Sequence, residues 1–338
     1  MTVKQRTNRK SPGSTNAVPR SDTRNGSERE SARSGIRIDW RRIITRMLMM
    51  TAIMVAVYFS KANKTVQFAK QDEEIGKKFV EISCSEDYAE ELRQFRGCTP
   101  RKCGRMVSDS LIKPGEVAAL RNIAERGLAL GGSSGGASIL DLHSGALSQG
   151  NAFVNIYKLE TSRKIFTGED FKIYSHVKGK IQHAIADHFG IDKGQLYLTH
   201  PTFFSRITSA PPKTIHDEYW HPHVDKETYE SFHYTSLLYL TDYGQEFEGG
   251  RFVFIDKDSN KTVEPRRGRV SAFTSGSENL HYVEQVTRGT RSEKLQCTML
   301  FSLPTPHAAL LLSDDLGDSG NQVVILSSSP FVFSILTN

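Results

Sequence analysis

Two histidines and an aspartate in this chain have the types and spacing to hold a metal. His223 and Asp225 lie two residues apart in the run Trp220-His221-Pro222-His223-Val224-Asp225; His281 follows far downstream, with Arg291 ten residues beyond it. On a strand, a spacing of two points both side chains to one face. An imidazole and a carboxylate side by side, completed by a second imidazole from a distant strand, form one face of an octahedron around iron and leave other positions open. His-x-Asp alone is equally a hydrogen-bonded strand pair. His221 shares the His223 face by period two, and with His233 it offers a zinc set instead. A zinc site would leave Arg291 and the pair Gly249-Gly250 without a role. His200 and His216 are expected at the mouth of the site or on the surface.

The elements that must position these residues change rhythm near Leu196. From there the chain runs in short alternating stretches: Leu196-Tyr197-Leu198, Phe203 to Ile207, Thr235 to Leu240, Arg251 to Ile255, Arg269 to Phe273 and Leu295 to Leu303. Turn signals separate them at Pro211-Pro212, Tyr243-Gly244, Gly249-Gly250 and Arg267-Gly268. This is a mainly β core, a sandwich or jelly roll, with helices packed outside. Upstream, a helix is expected from Pro114 to about Arg126, with Pro in its first turn and Gly127 ending it. A second, roughly Glu169 to His188, puts Phe171, Tyr174, Val177, Ile181, Ala184 and Ile185 on one face before Gly190. Between them, Gly131-Gly132-Ser133-Ser134-Gly135-Gly136-Ala137-Ser138 lacks the Lys and hydroxyl ending of a phosphate loop and reads as a flexible loop. His143, His176, His183 and His188 have no carboxylates at ligand spacing and read as surface or core histidines.

Charge and hydropathy place these parts in a cell. Residues 1–46 carry twelve Lys or Arg against four Asp or Glu, while the whole chain is +6. That segment has almost no apolar side chains to offset ordering entropy and reads as a disordered basic tail. The rest is close to neutral, which argues against a nucleic-acid partner. Then comes the uncharged run Met47 to Phe59, extendable to Ile43 if Arg46 snorkels. It is shorter than the roughly 20 residues of an ordinary span. With Tyr58 and Lys61 as interfacial anchors and no small-residue cleavage site, it reads as a signal anchor whose basic end stays in the cytosol. The remainder is then luminal. Cys84, Cys98 and Cys103 cluster just beyond; Cys84 can bridge either of the other two, and a zinc site would lack a fourth ligand nearby. Asn260-Lys261-Thr262 is a glycosylation acceptor on a turn between strands.

The pattern His223-x-Asp225, Tyr239 in Leu237-Leu238-Tyr239-Leu240, Phe247-Glu248-Gly249-Gly250-Arg251-Phe252, Pro265 to Arg269, and His281 through Gly289-Thr290-Arg291 resembles the prolyl and lysyl hydroxylase branch of the iron- and 2-oxoglutarate-dependent dioxygenases. The resemblance covers about residues 196–303. It implies a double-stranded β-helix holding Fe(II) through His223, Asp225 and His281. It also implies that Arg291 pairs its planar fork with the far carboxylate of 2-oxoglutarate, that the Tyr239 hydroxyl reaches the same carboxylate, and that ascorbate serves as reductant. The sequence departs from the pattern in two places. No Tyr stands about ten residues before His223, where collagen prolyl hydroxylases have one, so a different substrate mouth is expected. Ser292-Glu293-Lys294 also intervene between Arg291 and the apolar run that follows.

The expected organisation is a cytosolic tail (1–42), a single transmembrane anchor (43–60), a luminal stalk with a disulfide (61–110), a helical support region (111–195), the dioxygenase core (196–303) and a tail matching nothing familiar (304–338). The expected protein is a type II membrane enzyme of the endoplasmic reticulum or Golgi lumen that hydroxylates a luminal substrate such as a peptidyl side chain and releases succinate and CO2. The alternative is a luminal scaffold that keeps the fold without turnover.

Overall fold

The computed structural model describes residues 39–62, 65–94, 100–160, 164–199, 202–214, 217–228, 232–288 and 294–302. Its helices are α1 (Trp40–Ala62), α2 (Ala89–Gln94), α3 (Pro114–Leu128), α4 (Gly168–Phe189) and α5 (Asp225–Thr228). Its strands run from β1 (Thr65–Ala69), β2 (Lys78–Ile82), β3 (Cys103–Ser108), β4 (Ala137–Leu140), β5 (Ala146–Gln149) and β6 (Ala152–Asn155) to β7 (Tyr197–Leu198), β8 (Phe203–Ile207), β9 (Tyr234–Tyr239) and β10 (Glu248–Gly249). They continue with β11 (Phe252–Phe254), β12 (Asn260–Val263), β13 (Val270–Thr274), β14 (His281–Val283), β15 (Val286–Arg288) and β16 (Lys294–Ser302). The chain falls into two units, Met1–Ala56 and Val57–Asn338, and the strands belong to the second.

The fold is mainly β and jelly-roll-like. The larger sheet runs β2-β3-β13-β9-β16-β8-β4-β5-β6, with β7 paired to β16; a smaller sheet runs β1-β12-β11-β14, and β10 pairs β15. Alternation along the central strands gives each face of the larger sheet its own core. Leu238, Val270, Ala272 and Met106 point to α3 and α4, where Val117, Leu120, Tyr174, Ile181 and Ile185 cover them. Leu237, Tyr239, Phe273 and Val107 point the other way and meet Phe252, Phe254, Val263 and Val283 of the smaller sheet. The helices start and stop where local chemistry dictates. Thr167 and Asp170 form a reciprocal capping box at the start of α4, and Gly190 closes it in the left-handed region at φ 69°.

Several expectations need correcting. The stretch 61–110 is no stalk: β1 joins the smaller sheet, while β2 and β3 extend the larger one. Its charged residues suggested exposure, and many are exposed, but Arg105 and Asp109 are held in pairs with the rest of the fold. Arg105 forks onto Asp256 at 2.9 and 2.7 Å, and Asp109 takes two hydrogen bonds from the fully buried Arg269. The region 111–195 is also more than helical support, since β4, β5 and β6 extend the larger sheet. The glycine-rich segment is a tightly seated turn; a Cβ at Gly135 would lie 1.9 Å from Asp217 Oδ2. Asn260 opens strand β12, paired with Thr65, instead of sitting on a turn. Helix α1 covers the expected anchor, but among the described residues no helix is long and apolar enough to cross a membrane. Residues 1–38 and 303–338, which include most of the expected tails, lie outside the described residues.

Candidate metal centre

His223, Asp225 and His281 come together beside Phe252, Phe254 and Phe273 of the core between the two sheets. One donor atom from each lies within 4.8 Å of the others. Asp225 Oδ1 is 3.7 Å from His223 Nε2 and 3.7 Å from His281 Nε2, and the two imidazole centroids are 4.4 Å apart. His281 stands on β14, opposite Phe254 of β11. His223 reaches it through an isolated antiparallel bridge, each residue's N–H bonding the other's carbonyl at 2.9 and 3.1 Å. The expected strand geometry of His-x-Asp is therefore replaced. After the bridge the chain turns, and Asp225 is the first residue of the short α5. Its loop is fastened by the Lys226 N–H donating to the Ser275 carbonyl at 3.0 Å.

Each ligand candidate has its other polar atom already committed. His223 Nδ1 donates to the His221 carbonyl at 2.9 Å, and His281 Nδ1 donates to the Asn279 carbonyl at 2.8 Å. These bonds set the tautomer that leaves both Nε2 lone pairs facing inward. Asp225 Oδ2 accepts from the Thr235 hydroxyl at 2.5 Å, leaving Oδ1 for a metal. Burial holds His281 well below the ordinary histidine range, at about 4, against the pull of Asp225. It is a neutral ligand at physiological pH. Two inward imidazole nitrogens and one carboxylate oxygen are the donor set that suits Fe(II), so the residues fit that ion.

The other sequence candidates divide clearly. The His221 ring turns to Glu218 at 2.7 Å, and the buried His233 ring bonds Glu91 at 3.2 Å, so neither points at the triad and the zinc alternative loses its extra ligands. His176 and His183 do have carboxylate neighbours, Glu116 at 3.1 Å and Asp187 at 3.4 Å. Tyr239 is fully buried, on the same face of β9 as Thr235, among the aromatic residues that also surround His281; burial raises its phenol above the ordinary range. Cys84 bridges Cys103, with 5.1 Å between Cα atoms. Cys98, Arg291, His200 and His216 lie outside the described residues. Thr235 and Asn279 escaped the sequence reading. Thr235 sits ten residues after Asp225 inside an apolar strand, and only the fold shows the two in contact.

The model of the 2OG-Fe(II) oxygenase superfamily matches residues 213–302, the span that contains all three ligand candidates. The chain is a 2-oxoglutarate-dependent dioxygenase by class, and that superfamily works with Fe(II) and 2-oxoglutarate. It is 56% identical to 2-oxoglutarate and iron-dependent oxygenase domain-containing protein 3 of Xenopus tropicalis, across 72% of this chain and 76% of that one. Its identity to the Mus musculus protein of that name is 60%, across 66% and 71%. The chain belongs to this family. A shorter similarity, 35% over 97 residues, connects 28% of it to 12% of prolyl 3-hydroxylase 2 of Rattus norvegicus.

Proposed function

We propose that this enzyme hydroxylates a peptidyl side chain in the lumen of the secretory pathway, with a prolyl residue the first substrate to try. The observation that carries the catalytic reading is the convergence of His223 Nε2, His281 Nε2 and Asp225 Oδ1, each with its remaining polar atom tied elsewhere. Bound Fe(II) and 2-oxoglutarate supply the oxidation: one atom of dioxygen enters the cosubstrate, which leaves as succinate and CO2, and the other enters the substrate's carbon–hydrogen bond. The chain's own residues orient and exclude. Phe252, Phe254 and Phe273 keep water from the His281 side, with ring centroids 4.8, 6.4 and 5.0 Å from the imidazole. Arg291 is assigned the far carboxylate of 2-oxoglutarate and Tyr239 the supporting hydroxyl, both by the family pattern.

The peptidyl substrate is supported by the similarity to prolyl 3-hydroxylase 2. The luminal placement is supported by the Cys84–Cys103 bridge, because disulfides persist in oxidising compartments. Support also comes from α1, whose large apolar residues are exposed and whose start carries Arg41, Arg42 and Arg46. Although the apolar stretch of α1 falls short of an ordinary membrane span, we assign it as a short signal anchor with the basic tail in the cytosol, with no nucleic-acid partner and ascorbate as the reductant.

The test is anaerobic binding of Fe(II) and 2-oxoglutarate to the purified protein, then uncoupled succinate formation in air with ascorbate. Binding and turnover that His223→Ala abolishes support the reading; no binding, or a variant that behaves like the wild type, overturns it. For the topology, an enzyme-removable glycan on Asn260 and protease protection in sealed microsomes are expected. An unglycosylated, protease-accessible domain would reverse the orientation.

A further inference from the structure

The residue after Asp225 is Lys226, whose side chain is only 8% exposed. An ammonium taken out of water at such a position needs a partner, and its partner comes from far away in the chain: Glu91, on α2, holds Lys226 Nζ with Oε1. Through its other oxygen the same carboxylate accepts from His233 Nε2 at 3.2 Å, and His233 is 1% exposed. These two contacts flank a metal ligand from both sides. Lys226 adjoins Asp225 in sequence. His233 lies two residues before Thr235, which holds the Asp225 oxygen turned away from the metal position. The His233 carbonyl also accepts from the Ser275 N–H at 3.0 Å, and Ser275 Oγ touches Thr235 Oγ1 at 3.0 Å.

The segment carrying Glu91 also reaches the other side of the site. The Ser85 N–H and Tyr88 hydroxyl donate to the Glu278 carboxylate at 3.4 and 3.5 Å, next to Asn279, whose carbonyl fixes His281. The seat is close, since a Cβ at Gly276 would lie 2.8 Å from Ser85 Oγ and 2.9 Å from the Tyr88 ring. Tyr88 then covers the pair, its ring 5.3 Å from Lys226 Nζ and stacked on His233 at 6.5 Å. What ties this segment to the sheet is the bridge from Cys84 to Cys103, at the start of β3.

We infer that Glu91 is a positioning residue for the iron ligand Asp225, and that the Cys84–Cys103 bridge is its tether. Residues 84–94 form a clamp across Lys226 and His233, which follow Asp225 in sequence, and Glu278, which precedes His281. The inference rests on the metal reading proposed above and extends it to a segment outside the catalytic motif. A partner that orients a metal ligand is worth about 10- to 100-fold in metal affinity.

The experiment titrates the full-length protein with Mn(II) alone, following free Mn(II) by electron paramagnetic resonance, and records the visible spectrum of the Co(II)-loaded protein. Wild type, Glu91→Gln, Glu91→Ala and Cys84→Ser are compared at a temperature where circular dichroism shows each one folded. Expected are a Kd raised at least about tenfold by Glu91→Ala, a smaller rise for Glu91→Gln because its amide oxygen still meets Lys226, and an altered Co(II) spectrum in both. Cys84→Ser shifts the same two readouts without touching a polar contact of the loop. If Glu91→Ala unfolds, Glu91→Gln and Cys84→Ser decide alone. Folded variants with Kd within twofold of wild type and an unchanged Co(II) spectrum overturn the clamp and leave the metal site standing. A wild type that binds neither metal overturns both.

Discussion

The two histidines of the triad sit in opposite surroundings. His281 is 3% exposed, on a strand of the smaller sheet, ringed by Phe252, Phe254 and Phe273. The His223 side chain is 44% exposed, on a bridge residue outside any strand, and its ring packs on one side against the His281 imidazole. One wall of the centre is therefore built into the core, and the other is open. The closed wall fixes geometry and excludes water. The open wall leaves the His223 side of the centre in reach of solvent. Removing either imidazole strips a metal ligand, but only one of them is also part of the fold.

The largest expected effect tests whether that division is real. His223→Ala and His281→Ala are each expected to cut uncoupled succinate formation by at least about 100-fold, as removal of a metal ligand should. They part on stability. In urea melts of metal-free protein, His281→Ala costs about 2–3 kcal/mol for the cavity left among the phenylalanines, whereas His223→Ala stays within about 0.5 kcal/mol, as exposed positions do. Equal losses would show that the two walls are not different.

Next in size is a pH effect confined to the closed wall. In the metal-free protein His281 is held at about 4, below the ordinary value of 6.5, so the unfolded chain binds the extra proton between those values. Stability is then full above pH 6.5 and falls as the pH drops toward 4, by about 3 kcal/mol from this group. His223→Ala keeps that contribution, and His281→Leu removes it. A wild-type pH profile that His281→Leu leaves unchanged would contradict the assignment. Metal should then link the two walls. Mn(II) at 100 times its Kd is expected to stabilise the protein by about 2.7 kcal/mol, and a chelator to reverse it.

How much of this could be read from the chain depends on which wall is considered. The ligand types, their order and the strands β7, β8, β9, β11, β13 and β16 were legible, because alternation and turn residues report directly on a half-buried sheet; β10, β12, β14 and β15 were not. The contribution of residues 65–108 to both sheets was not. Arg105 and Asp109 look like stalk residues in sequence, and only their partners Asp256 and Arg269, more than a hundred residues away, show them to be interior. The placement of Asp225 was half legible. Its proximity to His223 followed from spacing, but the turn into α5 did not, because a tertiary hydrogen bond from Lys226 to Ser275 makes it. The tight seating of Gly135 against Asp217 was hidden in the same way, since composition says loop and says nothing of what the loop rests on.

Between the two walls stands Asp225, and the smallest predicted effect concerns what holds it. Its Oδ2 accepts the Thr235 hydroxyl at 2.5 Å, and Thr235 in turn contacts Ser275, so the carboxylate is oriented by a buried relay from the sheet and not by either histidine. Thr235→Val keeps the shape and the β-branched fit on β9 but removes the donor. Asp225 Oδ2 would then lose its bond while Oδ1 kept its ligand position, and the carboxylate would rotate more freely. The expected outcome is about a tenfold weaker metal affinity, with melting temperature close to wild type. Thr235→Ser, which retains the hydroxyl, should restore most of the affinity. A valine variant with wild-type affinity would mean that the open wall alone sets the carboxylate, and that the closed wall serves His281 only.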